Sequence, residues 1–180
     1  MLTDLEKELD LWGAELITRV KLNLLEEDME VSGVLYDSVD YLIEPTPTGF
    51  VLEYYMVEYG YYQDEGVKGK VPSAVMVNDA PGRQKAPNSR FKFGSGKGKK
   101  GGLFKGLDKW VIKRNLAPRK NGKFQSRSAI KHAITKSIYY QGLEPRRFFT
   151  RAWNQSLQGV DENMARAMAN SVERYFITLL

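Results

Sequence analysis

The chain has no cysteine and a single histidine, His132. Without thiols there can be no disulfide, no thiolate metal site and no cysteine nucleophile. One imidazole excludes a histidine-rich metal centre. No apolar run approaches the roughly 18 residues that a membrane-spanning helix needs, so no membrane partner is expected. Met1 leads straight into Thr3-Asp4-Leu5-Glu6, without the basic-then-apolar pattern of a secretion signal. The expectation is a chain made and folded in a reducing, cytosol-like compartment. No internal repeat is visible.

What the chain does have is charge, sorted into blocks. Residues 1–66 carry sixteen Asp/Glu against three Lys/Arg, a net −13. Residues 67–151 carry three against twenty-two, a net +19, and residues 152–180 carry three against two, a net −1. The modest total of +5 hides this split. Such a field can attract a polyanion through the basic part, or dock copies head to tail, basic face on acidic face. At 180 residues the chain is long enough for one domain with a real core and short for two, so one domain over 1–180 is expected. Tyr supplies ten of the aromatic residues, a type common at half-wet interfaces.

The first element reads as a helix. Leu2, Leu5, Leu9, Trp12, Leu16, Val20 and Leu24 paint one apolar stripe, Thr3-x-x-Glu6 reads as a capping box, and the helix ends near Glu27. Val31–Val39 reads as a turn leading into a strand. Two β-like runs, 40–44 and 50–59, flank Pro45-Thr46-Pro47-Thr48-Gly49, which reads as a turn whose prolines forbid a central strand. Phe50, Leu52, Tyr54 and Met56 share one face of the second run. Residues 67–103 show no strong period and read as one long basic loop, with a possible strand at 71–77. Helices follow near 104–115 and 128–141, with Ile130, Ala133, Ile134 and Ile138 inward and Gly142 as a cap. A short helix opens at Phe148, Gly159 breaks it, and a last helix spans about 161–178 with Met164, Met168 and Val172 in its stripe. The order predicts an α+β fold, a small mainly antiparallel sheet packed by N-terminal and C-terminal helices.

Catalytic chemistry is hard to find. The Gly94–Gly102 run lacks the spacing of a P-loop, and neither Gly96-Lys97 nor Gly98-Lys99 is followed by Ser or Thr. Its Lys97, Lys99 and Lys100 fit nonspecific attraction to phosphate or to an acidic partner, as do Arg83, Lys85, Arg90 and Lys92. His132 falls opposite Ile130, Ile134 and Ile138, and with Tyr139 on its face it suits a surface or interface role. The carboxylates at Glu26-Glu27-Asp28-x-Glu30 and Asp64-Glu65 lack the acidic-x-Lys pairing of a metal-dependent nuclease site. No catalytic residue, metal or cofactor is expected.

The order of short motifs resembles the tail-completion and neck proteins of tailed bacteriophages, subunits of the head–tail connector ring. Ser32-Gly33-Val34-Leu35-Tyr36-Asp37-Ser38 is similar to the family's T/S-G-x-L-x-x-S segment, carried by Gly33, Leu35 and Ser38. Tyr61-Tyr62-Gln63-Asp64-Glu65-Gly66-Val67 resembles its aromatic segment ending at Gly66. Ser89-Arg90-Phe91-Lys92-Phe93 matches a basic-aromatic piece. A helix bearing Trp110 and the segment Pro145-Arg146-Arg147-Phe148-Phe149 complete the order. The loop at 67–103 is longer and the charge split stronger than the family's usual pattern.

The resemblance implies a structural virion protein without catalytic activity, made in the host cytoplasm and built into the neck. It implies a closed homo-oligomeric ring of six or twelve copies around the DNA channel, with portal, connector or tail proteins as partners. Tyr61, Tyr62, His132 and Tyr139 are the candidate subunit-interface residues. The competing reading is a basic nucleic-acid-binding module using residues 83–131.

Overall fold

The structure is a computed structural model, and it describes residues 4–26, 33–70, 76–77, 80–81, 84–93, 102–116, 119–120, 123–124 and 126–179. It is an α+β protein. Among these residues are seven helices and four two-stranded antiparallel pairings. The chain divides into two compact units where the sequence reads as one domain. The first comprises Met1–Val57 with Phe148–Leu180, and the second Glu58–Arg147.

The first unit is built on helix α1 (Asp4–Glu26). Leu16, Val20 and Leu24 of the expected stripe are buried, with Leu35, Val39, Phe148 and Ala152 around them. Burying this much apolar side chain is the main stabilising term of the unit. Asn23 is polar and buried in the same layer, and its Nδ2 donates to the Phe148 carbonyl at 2.8 Å. Trp12 lies at the core's margin, its Nε1 donating to the Ser156 carbonyl at 3.0 Å. Thr3 and Glu27 lie outside the described residues, so the capping box does too.

Residues 34–38 are a helix, α2 (Val34–Ser38), and not a turn into a strand. Gly33 sits at φ 71°, and its carbonyl accepts from the Asp37 N–H at 2.9 Å. Ser38 closes the turn through Oγ, which donates to the Leu35 carbonyl at 2.9 Å and accepts from the Val57 N–H at 3.1 Å. Local side-chain bonding of this kind overrides the β-preference of Val34 and Tyr36, while Val39 just beyond is extended.

The expected hairpin is present as β1 (Asp40–Thr46) and β2 (Gly49–Tyr55), in register from Asp40↔Tyr55 to Thr46↔Gly49. Pro45 is inside β1, opposite Phe50, so the turn is shorter than the 45–49 expected. A two-stranded ribbon has no third strand to hydrogen-bond, so proline is tolerated there as on any edge. Phe50, Leu52 and Tyr54 face inward as expected, and Val51, Glu53 and Tyr55 face solvent. β2 ends at Tyr55; the run to Tyr59 is cut short because 58–65 is helical.

Helices α6 (Phe148–Ser156) and α7 (Val160–Leu179) complete this unit, both packed on α1. Gly159 separates them at φ 76°. Ala167 is buried on α7, while Met168, expected in the stripe, is 59% exposed. Small side chains at Ala167 and Ser171 allow close approach to α1: the Leu5 N–H donates to Ser171 Oγ at 3.3 Å.

The second unit opens with α3 (Glu58–Glu65) and β3 (Val67–Lys68). Two short pairs follow: β4 (Met76–Val77) with β5 (Ala80–Pro81), and, after helix α4 (Gly102–Lys113), β6 (Arg119–Lys120) with β7 (Lys123–Phe124). Helix α5 (Arg127–Gln141) packs on α4 and leads into β8 (Gly142–Leu143), which pairs with β3. Ser126 caps α5, its Oγ accepting from the Ala129 N–H at 3.2 Å. Ile130 is buried on α5, but Ala133 is exposed.

Residues 67–103 are not one free loop where they are described. Lys68 donates to the Phe91 carbonyl at 2.8 Å and accepts from Phe93 at 2.9 Å. The Gln84 amide clamps Gly69, accepting from its N–H at 2.8 Å and donating to its carbonyl at 3.1 Å. A side chain thus replaces a strand in satisfying buried backbone. Residues 71–75, most of the possible strand at 71–77, lie outside the described residues.

Candidate subunit interface

The charge blocks of the sequence fall close to the structural division. The unit formed by 1–57 and 148–180 carries sixteen acidic against six basic residues, a net −10. The unit 58–147 carries six against twenty-one, a net +15. The sequence of each unit therefore carries one dominant sign.

Several of the motif residues pack inside one or the other unit. Leu35 is in the first core and Ser38 closes α2. Within the second unit three motifs meet. Tyr62 packs edge-on against Phe91 at 4.7 Å, Arg90 pairs with Glu65 at 2.6 Å, and Ser89 Oγ donates to the Gly66 carbonyl at 2.7 Å. The Arg146 and Arg147 N–H groups donate to the carbonyls of Gln63 and Asp64 at 2.8 and 3.0 Å. Pro145 is in the same knot: a Cβ on Gly66, at φ 72°, would stand 2.8 Å from the Pro145 nitrogen. Phe148 is fully buried in the first unit, where Phe149 stacks on Trp153. Trp110 is half-buried on α4.

The four candidate interface aromatics differ. Tyr61 is half-buried. The Tyr62 hydroxyl is bound to Glu58, in addition to its packing on Phe91. His132 is exposed on α5 as expected, and its ring lies 4.5 Å from Phe104. Tyr139 is half-buried between Phe93, at 6.1 Å, and Tyr140, at 5.4 Å. Three of these rings are thus engaged inside their own unit.

The candidate basic contacts also separate. Lys85 and Lys92 are exposed and available to a polyanion or an acidic face. Arg90 is exposed too but shared between Glu65 and the Phe91 ring, 4.8 Å away. Arg83, Lys97, Lys99 and Lys100 lie outside the described residues. The sequence did not single out Lys105, exposed on α4. Nor did it single out the ion cluster behind it, where Asp108 bridges Lys131 at 2.8 Å and Arg127 at 3.5 Å. The Lys131 hydrogen bond holds the Asp108 carboxyl below its usual range.

On the acidic unit, the outer hairpin face pairs Asp40, Glu44 and Glu53 with exposed Leu42, Val51 and Tyr55. Tyr41, at the hairpin's base, donates its hydroxyl to Asp10 Oδ1 at 2.6 Å. Burial, that hydrogen bond and the nearby carboxylates push its phenol from 10.0 up to about 12. A phenol raised in the folded state stabilises the fold below its unfolded value and loses that contribution as pH rises through the folded one. Stability should therefore fall between pH 10 and about 12. The fall should be shallower in Tyr41→Phe, as read by urea melts at stepped alkaline pH.

Among the described residues no group of three or more His, Asp or Glu side chains is placed to hold a metal ion. No described helix is long and apolar enough to cross a membrane. No family model matches this chain, and no curated protein or solved structure matches it.

Proposed function

We propose that this chain is a structural ring subunit of a tailed-bacteriophage neck, completing the head–tail connector around the DNA channel. The observation that carries the reading is the partition of charge between two folded units, −10 on one and +15 on the other. A ring is closed by heterologous contacts, in which two different surfaces of the same chain meet. Opposite signs on those surfaces steer the encounter and fix its register. The order of the motifs and the α+β fold support the same reading. In it the copies number six or twelve, the partners are portal, connector and tail proteins, and the site of action is the virion after synthesis in the host cytoplasm. The chain performs no catalysis and carries no cofactor.

Sedimentation equilibrium at stepped salt tests this. Self-association, alone or with connector components, should weaken as the Debye length shrinks from about 10 Å at 0.1 M to about 3 Å at 1 M. Exposed ion pairs contribute only about 0–1 kcal/mol each, so an apolar contact must accompany them.

The exposed Lys85, Lys92 and Lys105 favour a second reading, a nucleic-acid-binding module centred on residues 83–131. That reading requires a monomer whose DNA affinity falls with salt at a log–log slope near −0.9 per phosphate contacted. A monomer of that behaviour would displace the ring.

A further inference from the structure

Lys68 and Lys92 stand side by side without a counter-ion. The Lys68 N–H donates to the Phe91 carbonyl at 2.8 Å, and the Lys68 carbonyl accepts from the Phe93 N–H at 2.9 Å. This pattern makes Lys68 and Lys92 bridge partners in neighbouring parallel segments. Bridge partners project to the same face, from backbones about 4.8 Å apart. Like charges held opposite each other cost stability. On the other side of Lys68 the partner in β8 is Gly142, which brings no side chain. Two more lysines are tied to the same network. The Lys70 N–H donates to the Tyr139 carbonyl at 3.0 Å, and the Lys85 N–H to the Gln141 carbonyl at 2.9 Å. Lys70, Lys85 and Lys92 are exposed, and Lys68 is half-buried. Among the described residues no carboxylate forms an ion pair with any of the four. Glu65 is taken by Arg90, and Glu144, exposed beyond β8, pairs with none of them.

The patch has charge but no apolar centre. No large apolar side chain of residues 66–70 or 84–93 is exposed. A protein partner would need such a centre, because exposed ion pairs contribute only about 0–1 kcal/mol each. A phosphodiester backbone needs only cations, because each contact releases condensed counter-ions. The chemistry therefore favours nucleic acid over an acidic protein face.

We propose that Lys68 and Lys92, flanked by Lys70 and Lys85, bind the phosphate backbone of duplex DNA. The inference rests on the ring reading above and names the surface that faces the channel, leaving the docking of copies to other parts of the basic unit. The Gln84 clamp on Gly69 and the backbone bonds of Lys68 hold the pair in place, so the site is formed before DNA arrives.

The test measures binding of a fluorescein-labelled duplex of about 30 base pairs to the full chain at stepped salt. At a log–log slope of about −0.9 per phosphate, two contacts account for a factor of about 60 between about 1 M and about 0.1 M salt. Lys68→Gln with Lys92→Gln should therefore flatten the slope by about 1.8 and weaken binding about 60-fold at about 0.1 M. Lys68→Arg with Lys92→Arg keeps the charge and should keep the slope. Lys136→Gln with Arg166→Gln removes the same charge at two exposed positions and should change affinity less than about threefold. Circular dichroism melts establish that each variant folds. Should the Lys68–Lys92 glutamine variant melt early, Lys92→Gln alone should flatten the slope by about 0.9. Equal losses from the two glutamine pairs would show a diffuse field without a site, and overturn the proposal. Unchanged DNA binding in the first variant also overturns it; lost self-association in that variant would then give the lysine pair to an acidic face of a second copy. A wild type that binds no DNA overturns the site and leaves the ring standing. A wild type that binds DNA through this pair, yet stays monomeric even with connector components, keeps the site and overturns the ring.

Discussion

Replacing Phe148 with alanine should remove about 3–5 kcal/mol of stability, the usual cost of emptying a buried aromatic site. Phe148 has no exposed surface and belongs to the cluster of Leu16, Val20, Leu24, Leu35 and Val39. Its backbone carbonyl also accepts the Asn23 hydrogen bond, which ties α1 to the start of α6. A cavity here therefore disturbs both helices. Domains are typically stable by only about 5–15 kcal/mol, so the variant should lie near the edge of folding. Trp12 and Trp153 belong to this unit, with rings 5.4 Å apart, whereas Trp110 belongs to the other. In a Trp110→Phe background, fluorescence-detected urea unfolding follows the first unit alone. Phe148→Leu should lose only about 1 kcal/mol by comparison. Equal losses for alanine and leucine would show that Phe148 is not the packed centre described.

Gly142→Ala should be comparably damaging to the second unit. Gly142 ends α5 at φ 95°, ψ 176°, a conformation that side chains rarely adopt. A Cβ there would stand 2.4 Å from the Val67 carbonyl oxygen and 2.8 Å from the Gly69 nitrogen. Those neighbours are backbone of a paired strand and its exit, and cannot swing aside. Strain of about 1–3 kcal/mol and overpacking of about 1–3 kcal/mol together predict a loss of about 2–6 kcal/mol. Gly106→Ala, on α4, is the internal contrast. Nothing lies within 4 Å of its added Cβ, and a helix gains about 0.5–1 kcal/mol from that exchange. Thermal melts of the two variants should therefore move in opposite directions.

What was legible in the sequence followed from periodicity and charge. The α1 stripe and the inward face of β2 could be read because a single amphipathic period fixed each. The charge blocks could be read because they change sign at residues 66 and 151, close to the structural boundaries after Val57 and Arg147. What was missed depends on partners distant in the chain or on local side-chain bonds. Val34 and Tyr36 of α2 and Tyr59 of α3 are residues that read as strand, and Ser38 with its two hydrogen bonds reverses that reading for α2. The order in 84–93 comes from Gln84 and from bonds between Lys68 and residues 91 and 93, which no period announces. The sequence marks Tyr62, His132 and Tyr139 as candidate interface rings but cannot show that Phe91, Phe104 and Phe93 also lie beside them.

The central claim is that the acidic unit of one copy meets the basic unit of the next in a closed ring. An electron-microscopy reconstruction of the assembled neck, with neighbouring copies resolved, tests it most directly. Residues 1–57 and 148–180 of each copy should lie against residues 58–147 of the adjacent copy. A subunit boundary joining like-charged units, or a single copy bound in isolation, would contradict it.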